Sequence, residues 1–274
     1  MKVLTSIKYQ KCLAIGVLLA LLLFFPANPA PGQNMSNVLR FDPTLDYNLI
    51  VSSGYIAEKI PSFATIAGAL QAQVVIYVND KVYIDRGARD EIEDGGLYVI
   101  YRLDNEVINP GTGALLGTKV SILGFLKVLS VENNRSLATI VTSYDIIYRG
   151  DRVGSIRQVL PQWQYTFLPA KERPKKRGLI VETRTPRALQ GKYDVVYLNL
   201  GRDDGLGPGD RLRIIKPLEN FSFDNRESQI EKEIGELEVI SSQKKSATAI
   251  IKVSLEEITI PAIVESISPR EAGK

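Results

Sequence analysis

The chain has 274 residues, 45% hydrophobic and 24% charged, which suits a packed globular core and argues against wholesale disorder. It has no histidine, and its one cysteine, Cys12, lies in a segment expected to be removed. Zinc sites built on His or Cys, serine–histidine triads and thiol peptidases are thereby excluded. The net charge of +3 comes from the first 32 residues, which hold three of the 34 bases and no acid. The remaining 31 bases balance the 31 acids, so nothing in the charge points to nucleic acid.

Residues 1–32 have the order of a secretory signal peptide. Lys2, Lys8 and Lys11 form a basic start, Cys12 to Phe25 an apolar helical run, and Pro26 to Gly32 a small, turn-forming end. The apolar run is shorter than the roughly 20 residues that span a bilayer core. Cleavage is expected before Gln33, after Ala30-Pro31-Gly32, with a retained N-terminal anchor as the alternative. The product expected is periplasmic, with membrane contact at most peripheral.

Residues 33–63 contain Asp42-Pro43 and Ile60-Pro61 and show little helical periodicity; they read as an extended lead-in. From Phe63 onward β-branched and aromatic residues come in short runs between Gly, Asp and Asn. Val74 to Val78, Asn79-Asp80 and Lys81 to Asp85 have the pattern of a hairpin.

An internal repeat organises the rest. Val82-Tyr83-Ile84-Asp85-Arg86-Gly87 matches Val196-Tyr197-Leu198-Asn199-Leu200-Gly201 at an offset of 114, and Ile92 and Gly95 extend the match to Leu206 and Gly209. Gly124 to Val128 matches Gly235 to Val239 at an offset of 111. The same offset pairs Ala138, Ile140, Ser143, Asp145, Ile147 and Val153 with Ala249, Ile251, Ser254, Glu256, Ile258 and Val264. The fold expected is mainly β: two tandem small barrel- or sandwich-like modules, residues 64–153 and 178–267, each of five or six short strands. Residues 154–177 form a Pro-rich and basic linker, and 268–274 a tail.

The motifs favour structure over chemistry. Gly201 to Asp210 is glycine-rich with three carboxylates, but it lacks the ligand spacing of a calcium loop and the Gly-Lys-Ser/Thr ending of a phosphate loop. A glycine recurring between strands is what a turn with positive φ requires. Gly87, Gly95, Gly201 and Gly209, with Asp204 and Asp210, are therefore assigned to turns. Asp203 and Asp204 with Glu256 and Glu257 are the carboxylates a hydrolase would use, but neighbours on one strand point to opposite faces. No catalytic, metal-binding or cofactor-binding residue and no cofactor is expected. Lys171, Arg173, Lys175, Lys176 and Arg177 are candidates for contact with an acidic polymer or membrane headgroups. Trp163, Tyr165 and Phe167 alternate just before them.

The repeats resemble the tandem β modules that follow a lysin-motif (LysM) domain in exported proteins of Gram-negative bacteria. More loosely, they resemble the C-terminal domain of flagellar assembly protein T. The residues that carry the likeness are Val196 to Gly201, Asp204 to Leu206, Pro208 to Asp210, Ile234 to Leu237 and Ser254 to Ile258. In the first copy they are Asn109 to Gly113, Leu116-Gly117 and Gly150 to Val153, with Tyr165 to Pro169 and Gly178 to Val181 at the joint. The resemblance implies an envelope role near peptidoglycan, with an envelope protein or cell-wall polymer as partner. The lysin motif itself is absent from 33–62, and Pro261-Ala262 stands where the pattern has Gly-Asp. These readings converge on a non-enzymatic binding or scaffold protein. A flagellar or secretion-ring subunit and a carboxylate-dependent cell-wall hydrolase are the alternatives.

Overall fold

A computed structural model describes residues 47–59, 63–71, 73–160, 175–218, 221–223, 226–228 and 231–267. The signal segment, its cleavage site, Trp163, Tyr165, Phe167, Lys171, Arg173 and the tail lie outside the described residues.

The fold is mainly β, with two six-stranded antiparallel barrels in tandem. The first barrel uses β2 (Ala64–Ala69), β4 (Lys81–Ile84), β5 (Leu97–Ile108), β6 (Leu115–Val131), β7 (Ser136–Ser143) and β9 (Arg152–Ser155). Its closed order is β2-β4-β7-β6-β5-β9. Beside it, β1 (Tyr55–Ala57) adds to β6, and β3 (Val75–Ile76) pairs with β8 (Ile147–Tyr148); the hairpin expected over 74–85 does not form, because β4 pairs with β2 and β7 instead of β3. The second barrel uses β10 (Arg177–Thr183), β11 (Val195–Leu198), β12 (Arg211–Pro217), β15 (Glu231–Ser242), β16 (Ala247–Ser254) and β17 (Ala262–Ser266), in the order β10-β11-β16-β15-β12-β17. Strands β13 (Phe221–Phe223) and β14 (Arg226–Ser228) form a hairpin between β12 and β15.

The two barrels are the two sequence copies, register for register. Val82 faces Ala138 across β4 and β7; Val196 faces Ala249 across β11 and β16. These pairs sit 114 and 111 residues apart, the offsets of the repeat. The inward residues correspond in the same way. Ile66, Val82, Ile84, Ile100, Leu126, Val128, Ala138, Ile140 and Val153 fill the first core. Ile180, Val196, Leu198, Ile214, Leu237, Val239, Ala249, Ile251 and Val264 fill the second. The three-residue difference falls in the hairpin. In the first copy β5 and β6 run on as a long arm; in the second β12 stops at Pro217 and the β13–β14 hairpin follows. Both copies bend at one glycine: a Cβ on Gly124 would lie 2.0 Å from the Thr142 carbonyl oxygen, and one on Gly235 would lie 2.4 Å from that of Val253. Each bulge lets the strand coil enough to close a six-stranded barrel.

Two boundaries differ from the sequence reading. The lead-in is not simply extended: Tyr47–Ser52 forms a short helix, α1, and β1 follows it. Six residues give too little periodicity to be read from sequence. The stretch assigned to the linker begins with the end of β9 and a one-turn helix, α2 (Ile156–Val159), whose Val159 is buried in the first barrel's packing.

Candidate functional site

The two barrels belong to one compact unit, residues 41–274. The lead-in bonds to both of them. Along β1 its backbone pairs with β6 of the first barrel. Its remaining carbonyls face the second barrel: Tyr197 Oη donates to the Ser53 oxygen at 2.7 Å, Thr248 Oγ1 to Gly54 at 3.0 Å, and Ser246 Oγ to Ile56 at 3.2 Å. Beneath this strap Ile56, Val107, Leu116, Val195, Tyr197, Ile240 and Ile250 form one buried cluster drawn from both barrels. Exposing each such side chain costs roughly 1.5–3 kcal/mol, so the second barrel is not self-sufficient at this face. Lys119, 4% exposed, crosses the joint to donate to the Thr183 carbonyl at 3.2 Å, with Asp104 and Glu182 about it.

Two buried phenols hold the strap, Tyr55 on the strap itself and Tyr197 from the second barrel. Tyr55 Oη donates to the Val159 carbonyl, and burial pushes its pKa up from 10.0 to about 12. Burial pushes Tyr197 up as well. A raised folded-state pKa favours the neutral phenol in the fold. Its stabilisation is therefore complete below pH 10 and is lost as pH rises through about 12. Alkaline titration is expected to release both tyrosines late, together with loss of the β circular dichroism signal. Phenolate absorbance rising before any structural change would contradict this.

At the edge of the joint a cleft of about 390 Å³ lies between the strap, α2 and the β15–β16 turn. Lys59, Arg157, Arg202, Lys244 and Lys245 line it, with Glu58 as its one acid. A second cleft, about 620 Å³, opens beside Ile215, Lys216, Ile234, Glu256 and Ala262 in the second barrel. In the first barrel the corresponding place is filled. Asp151, which corresponds to Ala262, is buried and takes two hydrogen bonds from Arg102 at 2.8 and 2.7 Å, and the Arg102 guanidinium lies over Tyr148. The departure at Pro261-Ala262 removes that plug.

The turn residues act by two different means. Gly95 and Gly209 have φ of 74° and 85°, the left-handed region that favours glycine. Gly87 and Gly201 do not: their φ values are −144° and −141°. The expected positive φ is corrected there to close approach. A Cβ on Gly201 would lie 2.6 Å from both the Lys244 oxygen and the Ser246 nitrogen, and one on Gly87 would lie 2.1 Å from the Glu132 oxygen. Asp204 Oδ2 accepts from the Gly201 amide at 3.0 Å and Asp210 Oδ2 from the Gly207 amide at 2.8 Å, while Asp203 is exposed. Asp204→Ala is therefore expected to cost about 1 kcal/mol, as for a lost cap, and Asp203→Ala less than about 0.5 kcal/mol. Thermal melts of the two variants check the difference.

The structure does not bring the four carboxylates together. Asp203 and Asp204 sit beside the start of β16, where the Asp203 amide bonds to the Lys244 carbonyl; Glu256 and Glu257 follow its end. Eight residues of strand separate the pairs, roughly 25 Å at about 3.3 Å per residue. Paired glycosidase carboxylates stand only about 5–9.5 Å apart. Glu256 bonds to Lys232 and, at 3.4 Å, to Lys216, and the two ammonium groups hold its carboxyl below the usual range. That opposes the raised pKa a general acid needs. Among the described residues no three His, Cys, Asp or Glu side chains cluster as metal ligands. Of the basic run, Arg177 is committed to Glu231, the Lys176 amide donates to Ser266 Oγ at 2.8 Å, and Lys175 is exposed.

Sequence reading missed the joint. Its signal is a break in alternation. The first copy reads Lys81-Val82-Tyr83-Ile84, polar outside; the second reads Val195-Val196-Tyr197-Leu198, and all four are buried. A strand covered on both faces is apolar throughout.

Compared with protein-family models and with curated proteins, the chain matches none. No helix among the described residues is long and apolar enough to cross a membrane.

Proposed function

We propose that the chain is an exported, non-enzymatic protein of the cell envelope in which two docked β-barrels serve as a binding or scaffold unit near peptidoglycan. The observation that carries this is the joint. A buried strap and a shared apolar cluster fix two copies of one module in a single body, while the carboxylates a hydrolase would need stand at opposite ends of β16. The resemblance to modules that accompany lysin motifs supplies the compartment. The purified full chain, incubated with peptidoglycan, is expected to release no soluble muropeptides. Release that disappears in Glu256→Gln would overturn the reading in favour of a hydrolase. Mass spectrometry of the cellular protein is expected to find Gln33 at its N-terminus; an intact Met1 in the membrane fraction would replace export with anchoring.

One observation favours a ring subunit as the second reading. The first barrel exposes an apolar patch at its β3–β8 corner: Val74 is 79% exposed, Tyr77 64% and Ile146 48%, with Val78 and Tyr148 beside them. The corresponding positions of the second barrel are Ala188, Gly191, Glu257, Lys192 and Thr259, so the fold does not require the patch. Contact with a second copy of the chain there would build an oligomer. Light scattering that gives a monomer at high concentration would remove this reading.

A further inference from the structure

We propose that the basic cleft at the joint is a binding site for a phosphate-bearing ligand. The contacts of the joint themselves assemble it from four separate elements. Backbone bonds from Arg202 to the Gln243 carbonyl at 2.8 Å and from Asp203 to the Lys244 carbonyl at 3.0 Å seat the turn after β11 against the β15–β16 turn. That places Arg202 beside Lys244. The bond from Ser246 to Ile56 brings in the strap and with it Lys59. The bond from Tyr55 to Val159 holds α2 against the strap, which brings Arg157 to the same cleft.

The cleft's charge is uncompensated. Lys245 pairs with Glu58 at 3.2 Å. Lys59, Arg157, Arg202 and Lys244 have no ion pair among the described residues and are exposed at the cleft. Four cations with no ion pair among the described residues, gathered around one concavity, create a local positive field that attracts and retains anions. Two of them are arginines, whose planar forks match phosphate oxygens two at a time.

The internal repeat supplies the control. The same two turns exist in the first barrel, with the same backbone seating of Ala88 on the Glu132 carbonyl at 2.9 Å. There the residues are Ala88 for Arg202, and Asn133 and Asn134 for Lys244 and Lys245, while Glu132 is paired with Arg135 at 2.8 Å. These turns are therefore built equally well without Arg202 and Lys244, so the fold itself does not require those two cations. Such a site would give the scaffold its ligand. Its readout is separate from muropeptide release, so either reading can fail while the other stands.

Isothermal titration of the full chain with inorganic pyrophosphate tests the site. Saturable binding at one site is expected. It should weaken several-fold when salt is raised, as surface electrostatics are screened, and at least about tenfold in the Arg157→Gln/Arg202→Gln variant. Removing two cations elsewhere, as Arg135→Gln/Lys192→Gln, is expected to leave binding unchanged, with circular dichroism confirming the fold of each variant. Phosphatidylglycerol vesicles distinguish the source of the phosphate. Co-sedimentation that pyrophosphate competes away identifies a lipid headgroup, and pyrophosphate binding without co-sedimentation identifies a soluble phosphate. Absence of saturable binding to the folded wild type, or equal binding by the cleft variant, would overturn the proposal.

Discussion

Tyr197→Ala is expected to destabilise the protein by roughly 3–5 kcal/mol, whereas Tyr83→Ala, at the corresponding place in the first barrel, should cost about 1 kcal/mol or less. The two tyrosines stand in matching motifs on matching strands, β11 and β4, and both rings point out of their barrels. Tyr83 lies at the surface with the Arg135 guanidinium 4.9 Å from its ring centre. Tyr197 is fully buried in the cluster between the barrels, and its hydroxyl holds the Ser53 carbonyl. Truncation at 197 opens a cavity at the joint and leaves that carbonyl without its partner. Tyr197→Phe isolates the second effect and should cost about 1–3 kcal/mol, the range for a buried acceptor left unsatisfied. Denaturant titration of the three variants separates the terms. Equal losses at 83 and 197 would mean that the joint contributes nothing.

Gly54→Val is expected to destabilise by more than about 3 kcal/mol. Gly54 sits between α1 and β1 with φ of 69°, where a β-branched side chain is strained by about 1–2 kcal/mol or more. The space is also closed: a Cβ there would lie 2.3 Å from the Val120 carbonyl oxygen and 3.1 Å from Tyr197 Oη. The first is backbone of β6 and cannot yield without moving the barrel wall. Relief requires the strap to lift, which breaks the bonds from Tyr197 to Ser53 and from Thr248 to Gly54 together. By contrast a Cβ on Gly209 meets nothing within 4 Å, so Gly209→Ala should cost only the strain of its positive φ. Melting temperatures of the two variants are expected to rank in that order.

The repeat made most of the fold legible. Matched glycines and alternating Val, Ile and Leu fixed the strands and their equivalence, because inward positions of a small barrel tolerate little besides aliphatic side chains. Closure into barrels rather than sandwiches was not legible, since the bends at Gly124 and Gly235 are set by strand-to-strand approach. The joint was half legible. Lys81 becoming Val195 and Thr139 becoming Ile250 mark the covered outer face, but only when the copies are compared for their differences. The strap was invisible because its work is done by the carbonyls of Ser53, Gly54 and Ile56, and any residue supplies a carbonyl. The basic cleft was invisible for a related reason: Lys59, Arg157, Arg202 and Lys244 are scattered along the chain and meet only once the barrels dock. The run Lys171 to Arg177 drew attention by being contiguous, yet its Arg177 is bound to Glu231.

Differential scanning calorimetry of the full chain tests most directly whether the two barrels are one body. A shared apolar cluster and a strap bonded to both predict a single transition whose calorimetric and van't Hoff enthalpies agree, and which Tyr197→Ala shifts as a whole. Two separate transitions, with one unmoved by Tyr197→Ala, would show two independent modules on a tether and would contradict the account.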